Sequence, residues 1–501
     1  MRQISGPDRL RPMLAVMLLV AGGTAAAEAA APKTTLSIGL ALEPPTLDPS
    51  ANPAESIRSI TNGNVFEGLT AIDQDGHVQP LLAHDWTVSP DGLRYDFHLQ
   101  PGVKFQDGTA FDCPVVQFSY GRAAAKDSIN PQKQFFEPIA KVECPSPVEA
   151  VVTLTRPVGS FLYDMAWPDA AMIAPGSAAG NATHPIGTGP YRFSSWRRGD
   201  SLTLERNDAY WGPKPAIRTV VFRFITDPLA ATNALEGGQL DAYPSFPSQE
   251  LLARFRGDPR FAVEKGTFPI KILMALNEAV HPFDDIRVRQ ALAYAIDRHA
   301  MLQAIGDGDG TVIGSHMSPS DPDYVDLSGR YPFDPAKAKQ LLAAAGVKPG
   351  TPIAITIPPV DYARKSGELV AAFLGEVGLN VTLVPVEWPQ WLSQVFAHAA
   401  YQTTIVAHTE PHDLDIYARP SYYFGYHDAA YRTLFQRYES TNDPAARHAL
   451  SVQLQQKLAD DEPNVFLFST PRYGVWDAKL HGMWHNQPIA AIPVAGVTWS
   501  P

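Results

Sequence analysis

Apolar residues alternate through Leu36, Ile38 and Leu40, a period of two that predicts a strand near the start of the chain. Prolines at 44, 45 and 49 then forbid a helix and hold the chain extended. A hairpin follows. Residues 85–88 form one arm, Ser-Pro-Asp-Gly at 89–92 the turn, and Leu93, Tyr95, Phe97 and Leu99 one face of the other arm. Beyond residue 284 the period changes. Val288, Leu292, Ala295, His299 and Leu302 recur at three- and four-residue spacing, predicting one helix that starts near Asp284 or Asp285. A second helix is capped by Asp334, begins with Pro335, buries Ala338, Leu341, Leu342 and Ala345, and stops at Gly346. A third carries Leu369, Val370, Phe373, Leu374 and Val377, ends at Gly378, and leads into a strand at 379–384. A fourth, capped by Asp443 before Pro444, buries Leu450, Leu454 and Leu458 and yields to a strand at 465–468. Helix and strand alternate in this half, as in an α/β lobe, whereas the first half is richer in strands and turns. No low-complexity linker separates the halves, which points to a structured hinge.

The ends and the charge narrow the class. Arg2, Arg9 and Arg11 precede the apolar run 13–20, and Ala25, Ala26 and Ala27 follow it, which predicts a secretory signal peptide over residues 1–27. The run is too short for a bilayer, which takes roughly 20 apolar residues. No cysteine stands near the cleavage point to carry a lipid, so the mature protein is expected to be soluble. A 501-residue chain suggests two or three domains. Its net charge of −12 argues against a nucleic-acid partner, which would need a basic face. Cys113 and Cys144 are the only cysteines; in an oxidising compartment they are either a disulfide or two thiols too far apart to bridge.

Signatures of catalysis are missing from the sequence. It holds no Gly-x-Ser-x-Gly elbow, no Gly-Lys pair for a phosphate loop, no His-Glu-x-x-His and no dinucleotide fingerprint. Gly-Asp-Gly-Asp-Gly at 306–310 lacks the remaining ligands of a calcium loop and reads as a turn. A binding protein without cofactor or resident metal is expected, not an enzyme; a secreted hydrolase with a carboxylate pair is the different-class alternative.

Four stretches, in order, carry a resemblance. The first is Leu-Ala-His-Asp-Trp at 82–86 with Ser-Pro-Asp-Gly at 89–92 and Pro-Gly-Val-Lys-Phe-Gln-Asp-Gly at 101–108. The second is Gly-Thr-Gly-Pro-Tyr at 187–191 with Tyr-Trp-Gly at 210–212. The third joins Leu276 and Asn277, Pro-Phe-Asp-Asp at 282–285, and the run 287–297; the fourth is Asp-Pro-Ala-Lys-Ala at 334–338. Together they resemble the family 5 solute-binding proteins of ABC importers, whose members receive dipeptides, oligopeptides, nickel and opines. The resemblance implies an α/β, two-lobed Venus-flytrap fold. Lobe I would span 28–274, with an extra strand-rich subdomain near 68–185, lobe II 275–470, and residues 471–501 would return to lobe I. It also implies a monomeric periplasmic receptor that closes on a small solute and presents it to membrane permease subunits.

The segment 407–426 packs histidines, carboxylates, an arginine and tyrosines into twenty residues. Dipeptide-binding relatives carry an amine-pairing Asp shortly before an Asp-Pro-Asp-like run; matching that run to Asp413-Leu414-Asp415 sets Glu410 at that position. A buried ammonium needs such a partner. The carboxylate-binding Arg of those relatives is missing from residues 357–361; Arg364 and Arg419 are the candidate substitutes, and neither taking the role is the third alternative. Trp388, Trp391, Tyr422 and Tyr423 are candidate apolar walls. His408 is a further candidate contact. With His412 it raises a minor reading of metal or metal-chelate binding, against the Pro411 between them. Sugar, opine and metal-chelate receptors on the same fold are therefore alternatives to the leading expectation of a short peptide or amino-acid conjugate.

Overall fold

The computed structural model describes residues 33–306, 308–410, 413–441 and 443–500. The expected leader at 1–27 lies outside these residues, as does His412.

Two large sheets organise the chain. The first has seven strands in the order Phe261–Gly266, Arg472–Asp477, Ala242–Tyr243, Thr35–Leu40, Thr219–Phe224, Ser201–Arg206, Tyr191–Arg197. Its strand Thr35–Leu40 lies parallel to Thr219–Phe224, with Leu36 and Ile38 fully buried. The second has six strands in the order Thr311–Val312, Asn464–Ser469, Lys271–Leu276, Thr403–His408, Pro352–Ile357, Asn380–Pro385. The alternating stretches of the second half of the sequence build this α/β lobe. The chain crosses between the sheets twice, from Gly266 to Lys271 and from Ser469 to Arg472.

A four-stranded sheet forms the extra, strand-rich part of the first lobe, in the order Ala83–Val88, Arg94–Leu99, Glu149–Leu154, Ile139–Ser146. The hairpin turns at residues 89–92, where Gly92 has φ +68°. Tyr95, Phe97 and Leu99 pack with Val115, Val116 and Tyr120 of helix Cys113–Ala124. A disulfide between Cys113 and Cys144 ties the start of that helix to strand Ile139–Ser146, with Cα atoms 5.5 Å apart.

Local helix signals act where they stand. The Asp334 carboxylate accepts from the Lys337 N–H at 2.8 Å to start helix Pro335–Ala344, and the chain leaves it at Gly346 with φ +79°. Asp443 caps Pro444–Asp461 in the same way, accepting from Ala446 N–H. The single helix expected through Leu302 is instead two, Ile286–Ala295 and Arg298–Gly306. Ile296 turns extended at ψ 116°, and the Asp297 carboxylate caps the new helix by accepting from Ala300 N–H at 2.9 Å. Val288, Leu292, Ala295 and Leu302 share one core, but His299, expected on the same stripe, is exposed because the break at Ile296 turns the second helix.

The lobes touch directly. Gly159 N–H donates to Glu439 C=O at 2.6 Å, and Arg156 pairs with the Glu439 carboxylate at 2.7 Å. Behind this contact Asp164 is buried and accepts from the Ser160 hydroxyl at 2.8 Å. Burial pushes its carboxyl up to about 8, and Glu439 of the second lobe adds to the rise. No helix among the described residues is long and apolar enough to cross a membrane.

Replacing both Cys113 and Cys144 by Ala should lower unfolding free energy by about 3–4 kcal/mol in urea, because the loop they close is then unconstrained in the unfolded chain. An unchanged urea midpoint would contradict this. Asp164 holds its proton in the folded state above the ordinary Asp value of 3.8, so it costs stability as pH rises from about 4 towards about 8. Asp164→Asn should therefore gain on the parent across that window in thermal melts, and a difference that is flat with pH would sink the assignment.

Candidate ligand-binding site

The first residue of strand Lys271–Leu276 is a lysine in an otherwise apolar run, and every residue of the strand is buried. Register pairs Lys271 with His408, the last residue of strand Thr403–His408, so the two side chains stand opposite one another beside the first crossing. An ammonium with 3% of its side chain exposed needs an anion, and Asp413 supplies it at 2.8 Å. Lys271 also donates to the Glu410 carbonyl at 2.5 Å, which fixes the backbone just after the strand.

Asp413 opens the short 3₁₀ turn Asp413–Tyr417, and a chain of hydrogen bonds runs inward from it. Its second oxygen lies 2.9 Å from His316 Nε2, His316 Nδ1 lies 2.9 Å from the Tyr417 hydroxyl, and Asn464 donates to that hydroxyl at 2.9 Å. His408 Nε2 lies 2.8 Å from the Tyr423 hydroxyl, and its Nδ1 is 3.8 Å from Asp413. Burial alone would raise Asp413. The surrounding His316 and Lys271 overcome it and hold the carboxyl below the ordinary Asp range. Burial drives both imidazoles the other way, towards the neutral form. A cavity of about 10 Å³ lies against this cluster, lined by Pro269, Lys271, His316, Met317, Ser318, Asp321 and Asp413.

The expected contact residues divide into an inner and an outer set. His408, Tyr423 and Trp391 are inner: all are buried, and the Trp391 indole N–H donates to Thr404 at 3.0 Å. Trp388 is outer, 40% exposed, and lies flat on Trp391 with ring centres 5.0 Å apart and planes 2° from parallel. It starts a short helix, Trp388–Trp391, that continues as a π-helical turn, Leu392–Ala397. Glu410 is exposed, and its carboxylate accepts from Thr409 N–H at 3.2 Å. Tyr422 carries the Arg419 guanidinium at 5.4 Å from its ring centre. Each candidate arginine is paired close by. Arg419 binds Asp415 at 2.7 Å, and Arg364, on the outer face of helix Asp361–Glu376, binds Asp361 at 2.8 Å and Glu368 at 3.6 Å.

Lys271, His316, Asp413, Tyr417 and Asn464 were not picked out as site residues from the sequence. Lys271 had a readable signal, a charge heading an apolar strand that must find a partner. Another cation, Arg472, stands at the second crossing and lines a cavity of about 270 Å³ with Phe246, Phe268, Ile270 and Tyr473. Its guanidinium lies 3.4 Å from the Phe268 ring centre and pairs with Glu55 at 3.1 Å.

Truncating the buried cation tests this wiring. Lys271→Met strands the Asp413 charge and should cost about 3–5 kcal/mol, read as a lower urea midpoint at neutral pH. Lys271→Met with Asp413→Asn should recover part of the loss; an equal loss in both variants would show that the pair is not coupled.

Known proteins place the chain. The family model described as bacterial extracellular solute-binding proteins, family 5 Middle, matches residues 77–451. A glutathione-binding protein of Pectobacterium atrosepticum is 30% identical over 403 residues, covering 77% of this chain and 76% of the relative. A dipeptide-binding protein of Escherichia coli K12 is 30% identical over 365 residues, covering 66% of this chain and 68% of the relative. Among solved structures, a periplasmic binding protein of Helicobacter pylori in complex with the peptide STSA superposes with a TM-score of 0.83 at 22% identity, over 94% of this chain and 99% of that one. This last likeness carries the two-lobed fold, and the match over residues 77–451 carries the family: the chain belongs to the family 5 bacterial extracellular solute-binding proteins.

Proposed function

We propose that the chain is the periplasmic substrate-binding component of an ABC importer, taking up a small polar, amine-bearing solute in the cleft between its lobes. The solute class is a short peptide or an amino-acid conjugate, delivered by the closed monomer to permease subunits in the membrane. Export through the leader at 1–27 is part of this reading. So is a role confined to binding, in keeping with the missing catalytic signatures.

One observation carries the choice of solute: the exposed carboxylate of Glu410 stands on a loop that Lys271 fixes from behind through the Glu410 carbonyl. A carboxylate presented from fixed backbone suits an ammonium, since little ordering is left to be done on binding. The relatives named for glutathione and for dipeptides support it, because both solutes carry a free amine. Trp388, braced flat against the buried Trp391, offers an apolar wall for a solute side chain. Closure over the solute removes water from these contacts and sharpens discrimination.

A second reading, a sugar, opine or metal-chelate receptor, is favoured by the arginines. Arg364 and Arg419 are both taken up by neighbouring carboxylates, so neither offers an uncommitted partner to a peptide carboxylate.

Calorimetry with reduced glutathione, a set of dipeptides and their N-acetylated forms separates the two. At least one free-amine solute should bind, and its N-acetyl form should bind at least about tenfold more weakly, a difference of about 1.4 kcal/mol. Glu410→Gln should erase that difference while leaving the thermal melt of the empty protein unchanged. Equal affinity for free and acetylated solutes would remove the amine reading.

A further inference from the structure

We propose that His316, His408 and Asp413 form a binding site for one divalent transition metal of the zinc–nickel class, separate from the solute contacts proposed above. One donor atom from each of the three lies within 4.8 Å of the other two, and all three residues are buried. The atoms converge on Asp413 Oδ2, with His316 Nε2 at 2.9 Å and His408 Nδ1 at 3.8 Å. Tetrahedral bonds of about 2.0–2.2 Å set neighbouring donors roughly 3.4 Å apart, a value that these two distances bracket. Small side-chain shifts therefore suffice to admit the ion.

The surroundings have the form of an outer coordination shell. Each imidazole turns one nitrogen inward and rests the other on a tyrosine hydroxyl: His316 Nδ1 on Tyr417 at 2.9 Å and His408 Nε2 on Tyr423 at 2.8 Å. Such outer partners fix ring orientation and leave the inner nitrogen able to present a lone pair. Asp413 Oδ1 is oriented by Lys271, leaving Oδ2 to face the imidazoles. The adjoining cavity of about 10 Å³, bordered by Ser318 and Asp321, has room for about one water-sized group as a fourth ligand. Two imidazole nitrogens with one carboxylate oxygen select zinc or nickel over magnesium or calcium. The Lys271 ammonium opposes the ion, which limits affinity without removing the donor set. Without metal the same atoms close a hydrogen-bonded chain, so occupancy, not stability, is the deciding readout.

The test uses tag-free, full-length mature protein dialysed against chelator and then titrated by calorimetry with Zn(II), Ni(II) and Mg(II). The site predicts one Zn(II) or Ni(II) per chain and no Mg(II). His316→Gln and His408→Gln should each weaken binding at least about tenfold, and Tyr417→Phe, which keeps all three donors, by about 10–100-fold. His281→Gln, at an exposed histidine, should change nothing. Co(II) added to the unaltered protein should give the intense visible bands of four-coordinate metal, which decides the matter even where a variant fails to fold. Absence of stoichiometric Zn(II) or Ni(II) binding, or binding that persists unchanged in His316→Gln, would overturn the proposal. The solute reading would be unaffected, since it rests on Glu410.

Discussion

A lysine ammonium buried at the junction of two lobes is the constraint around which this site is arranged. Lys271 heads an otherwise apolar strand just after the chain enters the second lobe, and its side chain is 3% exposed. Left alone it would be prohibitively costly, so the fold must bring an anion to it. Asp413 comes from a turn more than a hundred residues away, the 3₁₀ turn Asp413–Tyr417. His316, Tyr417 and Asn464 extend the hydrogen bonds inward from the second oxygen of Asp413.

That inner shell gives the outer one its rigidity. Glu410 faces solvent, but its carbonyl is held by the same ammonium that binds Asp413. Trp388 is exposed, but it lies on Trp391, whose indole is fixed to Thr404 within the sheet. A receptor that must enclose a solute and then release it benefits from this division. The residues proposed to meet the solute rest on this buried group, while the lobes themselves join through two short crossings and a contact at Glu439.

How much of this could be read from the sequence depended on how local the cause was. Asp334 with Pro335 and Gly346 names both ends of a helix, because capping and left-handed turns are decided within a few residues. The stripe through Val288 and Leu302 was visible, but the break at Ile296 was not, since Asp297 caps a new helix without disturbing the apolar spacing. The aromatic and acidic loop at 407–426 stood out by composition. His316 did not, because only the tertiary fold brings it to Asp413. Arg364 and Arg419 were singled out by charge, and the carboxylates that occupy them were neighbours three and four residues away, a pairing helical spacing permits but does not require.

The central claim is that the cleft takes an amine-bearing solute. Native mass spectrometry of the protein purified from its native host tests it most directly, by weighing whatever solute it carries. A single bound species is expected, with a mass and fragmentation that fit a short peptide or amino-acid conjugate with a free amine. A neutral sugar in that place would contradict it.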